Sequence, residues 1–416
     1  MDKSGSSRRR FLAASGAFGL AAALSGCKLP FTFEQGAMHP CVPGLPANLA
    51  AHPLVVAALA NIRNDQVWDC HAHLLGNGSE GSGIWVDPDF NAGNGLRNKI
   101  QRTMFANSAC LGEDESKWDS RMVSRLAQLT AELPAGFKVM VMAFDFTYDE
   151  TGKRRDDLTT FSVPNRYAAK VAAANASRFE WIASVHPWRP DAIDELNWSH
   201  ANGARAVKWL PPTMGIDLSH PKCVPFFRRL RELDLPLLTH VGKELSVRGA
   251  HREEFGHPLA LRHPLGEGVR VIAAHCASLG ESPDTDKPGA PITANFDLFG
   301  RLMDDPNNKK LLFGDISAMI LFNRDDAMPR LMDRVAWHGR LLNGSDYPLP
   351  GVMPVVSIRH FADLGLLSPD AVPVLRDLRH ANPLLFDFVL KRSLRRNGRA
   401  LPASVFETRA FFDKRT

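Results

Sequence analysis

The chain has 416 residues, 44% of them apolar and 23% charged, with a formal net charge of +5. That length and balance allow a full hydrophobic core and exclude the disordered, collagen-like and small disulfide-stapled classes. Residues 1–27 hold Lys3, Arg8, Arg9 and Arg10 against Asp2, so about +2 is left for the remainder, too little for a nucleic-acid-binding surface.

Ser7-Arg8-Arg9-Arg10-Phe11-Leu12 resembles a twin-arginine export signal. The Ala/Gly-rich segment from Phe11 to Leu24 that follows is too short to span a membrane. Leu24-Ser25-Gly26-Cys27 then resembles the bacterial lipoprotein cleavage box. Residues 1–27 are therefore expected to be a signal peptide, with Cys27 lipidated and holding an exported, periplasmic protein to a membrane surface. Residues 28–51, with four prolines and no period, read as a tether. The other cysteines are Cys41, Cys70, Cys110, Cys223 and Cys276; their odd number and scattered spacing predict no disulfide framework.

Eight short apolar or β-branched runs then recur, at 67–73, 138–145, 180–186, 204–210, 235–241, 269–275, 311–317 and 340–346. Helical patterns separate them, among them Asn165–Arg178, Asp191–Ala201, Val224–Leu233 and Ala327–His338, with Pro225 and Pro329 in tolerated first-turn positions. Short runs alternating with helices predict parallel βα units, and eight of them predict an α/β fold, a (β/α)8 TIM barrel over residues 52–396. Residues 74–136 exceed one loop and helix. Their glycine-rich opening and two helical segments, about 97–109 and 119–132, read as an insertion after the first strand that forms a lid or substrate wall. Residues 370–396 form a C-terminal helical extension ending in Lys391, Arg392, Arg395 and Arg396, a cluster suited to a solvated helix end. Residues 397–416 remain as a tail.

The chemistry gathers at strand ends. In Val67-Trp68-Asp69-Cys70-His71-Ala72-His73, strand alternation sends His71 and His73 the same way and Cys70 and Ala72 the other, so the two imidazoles could chelate a divalent metal. Cys70 and Cys276 read as small buried hydrophobes behind their strands. Lys208, His240, His275 and Asp346 end strands four, five, six and eight. A lone histidine at a strand end is more often a hydrogen-bonded scaffold residue. In a barrel, however, strand C-termini converge on one pocket, so six such groups reinforce one another.

D-x-H-x-H on the first strand, His240-Val241-Gly242-Lys243-Glu244 after the fifth, Ala274-His275-Cys276 after the sixth and Gly344-Ser345-Asp346-Tyr347-Pro348 on the eighth resemble the amidohydrolase superfamily. The likeness covers roughly residues 65–390 and is strongest to the branch of TIM-barrel metal-dependent hydrolases that includes aminocarboxymuconate-semialdehyde decarboxylase. It implies a metal held by His71, His73, His240 and Asp346, with His275 in acid/base work or on a second metal. Three imidazoles and a carboxylate suit Zn²⁺ with a position left for water. Asp346 would take the water's proton, and His275 would polarise a substrate carbonyl. Lys208 ends strand four, where binuclear relatives carry a carboxylated lysine; it either bridges two metals as a carbamate or keeps its charge and faces a substrate carboxylate.

Lesser candidates are Glu244 and Arg248 as substrate contacts or a loop salt bridge, Asp315 as the partner that orients a ligand histidine, and His186 as pocket wall or scaffold. Trp209 and Tyr347 are stacking surfaces or packing. The expected function is a metal-dependent hydrolase attacking an amide, ester or lactone of a small molecule with metal-activated water. A decarboxylase or hydratase acting on a carboxylic acid is the alternative within the same superfamily, and a non-catalytic ligand-binding lipoprotein is the third. A small molecule and a membrane are the expected partners, with a homo-oligomer possible and nucleic acid not expected.

Overall fold

The structure, a computed structural model, describes residues 35–413. The expected signal peptide and the first part of the tether lie outside these residues. Eight parallel strands appear where the apolar runs predict them: β1 Trp68–His73, β2 Lys138–Met142, β3 Phe179–Ile182, β4 Val207–Trp209, β5 Leu237–His240, β6 Val271–Ala274, β7 Leu312–Asp315 and β8 Leu341–Leu342. Strands β1-β2-β3 form one sheet and β4-β5-β6-β7-β8 a second, each in sequence order. Single parallel bridges, Ala183 to Val207 and Ala72 to Tyr347, meet at the two seams. The strands thus run in barrel order, with isolated bridges rather than continuous ladders at two joints.

The main helices include α1 Leu96–Ser108, α2 Trp118–Ala131, α3 Asn165–Ala174, α4 Ala192–Ala201, α5 Cys223–Glu232, α6 Asn295–Asp304, α7 Ala327–Asp333, α8 Ala371–Ala381 and α9 Pro383–Ser393, together with shorter ones. The predicted extension is two helices because Asn382 is extended and caps α9 through the Leu385 amide, with Pro383 as its first residue. Among the described residues no helix is long and apolar enough to cross a membrane.

Alternation divides the core into two layers. On β5, Leu237 packs outward beneath the helices and Leu238 inward. The inner layer includes Met140, Ile182, Leu238 and Ile272, and Phe412 closes it from below. Residues 397–413 are therefore no loose tail: Leu401, Val405, Phe406 and Phe412 are buried, and the Thr408 hydroxyl donates to the Trp68 carbonyl. On β1 the register to β2 slips between Asp69 and Ala72. Strict alternation fails there, so Cys70 packs inside the barrel while Ala72 packs outside.

Three further expectations give way. Residues 35–51 do not hang free: Arg379 donates to the Gln35 side chain at 2.8 Å, and His39 and Asn107 exchange hydrogen bonds of 2.7 and 3.1 Å. Cys41 and Cys110 form a disulfide that ties this strap to the end of α1; two cysteines 69 positions apart give no local signal of pairing. Lys391, read as part of a solvated cluster, is completely buried.

Candidate functional site

His71 and His73 end β1, Lys208 lies on β4, His240 ends β5, His275 follows β6, Asp315 ends β7 and Asp346 follows β8. All but Asp315 line one cavity of about 150 Å³ at the C-terminal ends of the strands. The backbone here is strained: His275, Cys276 and Ala277 have φ of 56°, 49° and 50°, and Asp346 has φ of 59°. Non-glycine residues in this left-handed region cost roughly 1–2 kcal/mol each, and such strain concentrates at functional sites.

His71, His275 and Asp346 each bring a donor atom to within 4.8 Å of the others. The His71 Nδ1–H donates to Asp315 Oδ2 at 2.9 Å, so Nε2 carries the lone pair and faces Asp346 Oδ1 at 3.4 Å. The His275 Nδ1–H donates to the Ser317 carbonyl at 3.0 Å, which leaves its Nε2 lone pair toward Asp346 Oδ2 at 3.8 Å. His73 Nε2 meets Asp346 Oδ1 at 3.1 Å. Asp315 Oδ1 also accepts the His275 and Ser317 backbone N–H groups at 2.9 and 3.0 Å. One carboxylate thus orients two candidate ligands, the role its sequence position allowed.

Burial favours neutral imidazoles. It lowers His71, helped by Lys208, and takes His240 and His275 well below their ordinary value, helped by Arg324. Burial would raise Asp346, but the charge that His71, His275 and His73 carry when protonated, together with the His73 hydrogen bond, outweighs it and holds the carboxyl well below the usual range. Neutral nitrogen donors and an ionised carboxylate are the protonation states a divalent cation requires. Lys208 Nζ lies 3.1 Å from His71 Nε2, and burial pulls its pKa down. His71, His275 and the Asp346 carboxylate can turn donor atoms to a single cation, with the Lys208–His71 hydrogen bond giving way to it, so the donor set fits.

The geometry separates some expectations. His240 stands beside the compact group, its ring centroid 5.3 Å from that of His275, with Nδ1 3.4 Å from Glu244 Oε2 and Nε2 3.3 Å from the Lys243 carbonyl. Glu244 lines the cavity, whereas Arg248 does not; its carbonyl instead accepts from Thr160 at 2.8 Å. His186 is scaffold, its Nε2–H donating to the Met214 carbonyl at 3.0 Å. Trp209 packs on Phe226 and Phe227, and Tyr347 is fully buried outside the cavity lining.

Sequence reasoning missed Arg324. This guanidinium is buried, lines the cavity and donates to Ser278 Oγ at 3.3 Å; no carboxylate among the described residues lies within ion-pair distance. It sits in the irregular segment after β7, where no periodicity marks it. Opposite the polar floor the walls are apolar. Ile84, Phe105, Leu111 and Trp118 come from the insertion after β1, and Phe144 and Phe161 from the segment after β2.

A family model described as Amidohydrolase matches residues 68–384, well over half of the chain. Solved structures similar to the chain include an uncharacterised TIM-barrel protein from Bordetella bronchiseptica, at 14% identity and a TM-score of 0.45, covering 77% of this chain and 99% of that one. 4-Oxalomesaconate hydratase from Rhodopseudomonas palustris matches at 14% identity and a TM-score of 0.40, over 76% of this chain and 96% of the other. 5-Carboxyvanillate decarboxylase from Sphingomonas paucimobilis matches at 12% identity and a TM-score of 0.37, over 76% and 95%. No curated protein matches in sequence.

Proposed function

The chain belongs to the amidohydrolase family of enzymes, and on that premise we propose that it is a metal-dependent hydrolase cleaving an amide, ester or lactone of a small molecule with metal-activated water. The observation that carries this reading is the convergence of His71, His275 and Asp346 donor atoms in one group at the polar floor of the cavity. His71, His275 and Asp346 would hold the cation, with His73 and His240 at its rim. The nitrogen-rich donor set suits zinc. A divalent cation bound there supplies a lowered pKa for coordinated water, from 15.7 to about 7.

With a cation held there, Asp346 would serve as the proton acceptor for water and the proton donor to the leaving group. Neutral His275 cannot donate from Nε2, because its proton sits on Nδ1 against the Ser317 carbonyl. It acts as a ligand or proton acceptor, and an oxyanion role would require the imidazolium. Lys208, whose pKa burial lowers, would either keep its charge and face a substrate carboxylate or take up CO₂ and bridge a second cation. Elemental analysis of the purified protein beside His71→Ala tests the reading: one equivalent falling toward none supports a single site, and two equivalents support the carbamate. Metal-free wild-type protein that keeps full activity would refute both.

Arg324 favours a second reading, in which the substrate is a carboxylic acid and the reaction is decarboxylation or hydration. A buried guanidinium with unused N–H groups in the cavity matches a carboxylate in geometry and charge. Release of CO₂ from an acid substrate, or addition of water to it without cleavage into two products, either one abolished by Arg324→Met, separates this reading from hydrolysis. The leader motifs support export with Cys27 lipidated, which incorporation of labelled fatty acid, lost in Cys27→Ala, would test.

A further inference from the structure

Lys391 and Asp387 stand four residues apart on α9, and both side chains are buried, at 0% and 1% exposure. A buried ion pair costs desolvation, and here the pair is not fully satisfied: Asp387 Oδ1 has no partner. Lys391 Nζ donates to Asp387 Oδ2 at 2.7 Å and to the carbonyl of Gly344 at 2.7 Å. The same peptide unit is gripped from its other side, because the Ser345 N–H donates to Asp69 Oδ1 at 2.8 Å. Asp69 Oδ1 also accepts the His71 N–H at 3.0 Å. An ammonium on the carbonyl and a carboxylate on the amide leave the Gly344–Ser345 peptide one orientation. The opposed charges also polarise it and strengthen both bonds.

The next residue is Asp346, whose left-handed backbone needs such restraint, and whose N–H donates to the His71 carbonyl at 2.7 Å. Close approach reinforces the grip: a Cβ on Gly344 would lie 2.6 Å from that of His71. We propose that Lys391, supported by Asp387, is a positioning residue: it locks the Gly344–Ser345 peptide and so holds the Asp346 carboxylate and the backbone of His71 in register for cation binding. The inference rests on the reading of these residues as a metal site. It assigns a role to a helix outside the eight strands, on the side of β1 and β8 away from the cavity.

The test uses the full chain with Zn²⁺ as the probe. Asp387→Asn/Lys391→Met removes both charges together, so neither member of the pair is left as a lone buried ion. The variant should melt cooperatively yet bind Zn²⁺ roughly 10- to 100-fold more weakly in chelator competition, well below its melting temperature. A purely architectural pair would lower the melting temperature and leave the affinity of the folded protein unchanged, and that result overturns the proposal. Wild-type protein that binds no Zn²⁺ at all refutes the metal site itself, a different outcome. A second measurement needs no variant. If the lock precedes the metal, the Ser345 amide exchanges with deuterium as slowly in metal-stripped wild-type protein as in the loaded form. Exchange faster by a factor of a thousand or so after stripping shows that the cation orders the segment, which also overturns the proposal.

Discussion

Replacing Asp315 by asparagine would isolate the orientation of the proposed ligand histidines from their presence. The carboxylate accepts on both oxygens: Oδ2 from His71 Nδ1 at 2.9 Å, and Oδ1 from two backbone N–H groups and the Ser317 hydroxyl. Asparagine has a single acceptor atom. The backbone donors cannot move, so its oxygen must stay with them and its NH₂ must face His71. His71 then accepts on Nδ1, and its proton passes to Nε2, the atom aimed at the site. Loss of a partner that orients a ligand typically weakens metal binding roughly 10- to 100-fold, which is about 1.4–2.8 kcal/mol. Chelator competition at 25 °C measures the affinity, a thermal melt establishes that the variant is folded, and long-range ¹H–¹⁵N correlation reports the His71 tautomer. A folded Asp315→Asn protein that binds Zn²⁺ within threefold of wild type would refute the reasoning.

Three more outcomes follow from the packing and the charges. Phe412→Ala, which opens the bottom of the inner layer, should destabilise the fold by about 3 kcal/mol, the low end for a buried phenylalanine near a chain end. Zn²⁺ affinity should not change, because the site lies at the other end of the strands; equal loss of both would contradict the separation. Burial lowers His39 to about 4, so between pH 6.5 and 4 the unfolded chain takes up a proton that the folded chain refuses. Stability therefore falls as pH drops through that window, by about 3 kcal/mol for this group. Denaturation curves of His39→Asn, whose side-chain oxygen can still accept the Cys41 N–H, should show that much less acid sensitivity; an unchanged pH slope would contradict the assignment. Reducing Cys41–Cys110, which closes a loop of 69 residues, should lower stability by up to about 4 kcal/mol, and reductant should leave a Cys41→Ser/Cys110→Ser protein unaffected.

The ring of strands was legible because parallel strands are buried on both faces and so read as unbroken apolar runs. The polar residues that end those runs could be placed together once the topology was inferred. What escaped was everything set by contact at a distance. Cys41 and Cys110 meet only because the strap folds back across α1. Arg324 belongs to a stretch without period. Lys391 sits among arginines that do reach solvent, and its i,i+4 relation to Asp387 was visible while its burial was not. The alternation argument for β1 worked for His71 and His73 but failed for Cys70, since a one-residue slip in register reverses a side chain's face without leaving a mark in composition. Arg248 was chosen for its nearness in sequence to His240, and chain proximity is a poor guide to which loop side chains turn inward.

The cavity draws its floor and its walls from different stretches of the chain. The proposed reacting groups stand on strand termini that cannot shift without disturbing the whole ring, whereas much of the greasy enclosure belongs to one excursion between the first two strands, pinned by a covalent clasp. Selectivity and reactivity are therefore separable by engineering. Exchanging residues 74–136 for a differently shaped segment would alter which molecules gain entry while leaving intact the machinery that transforms them.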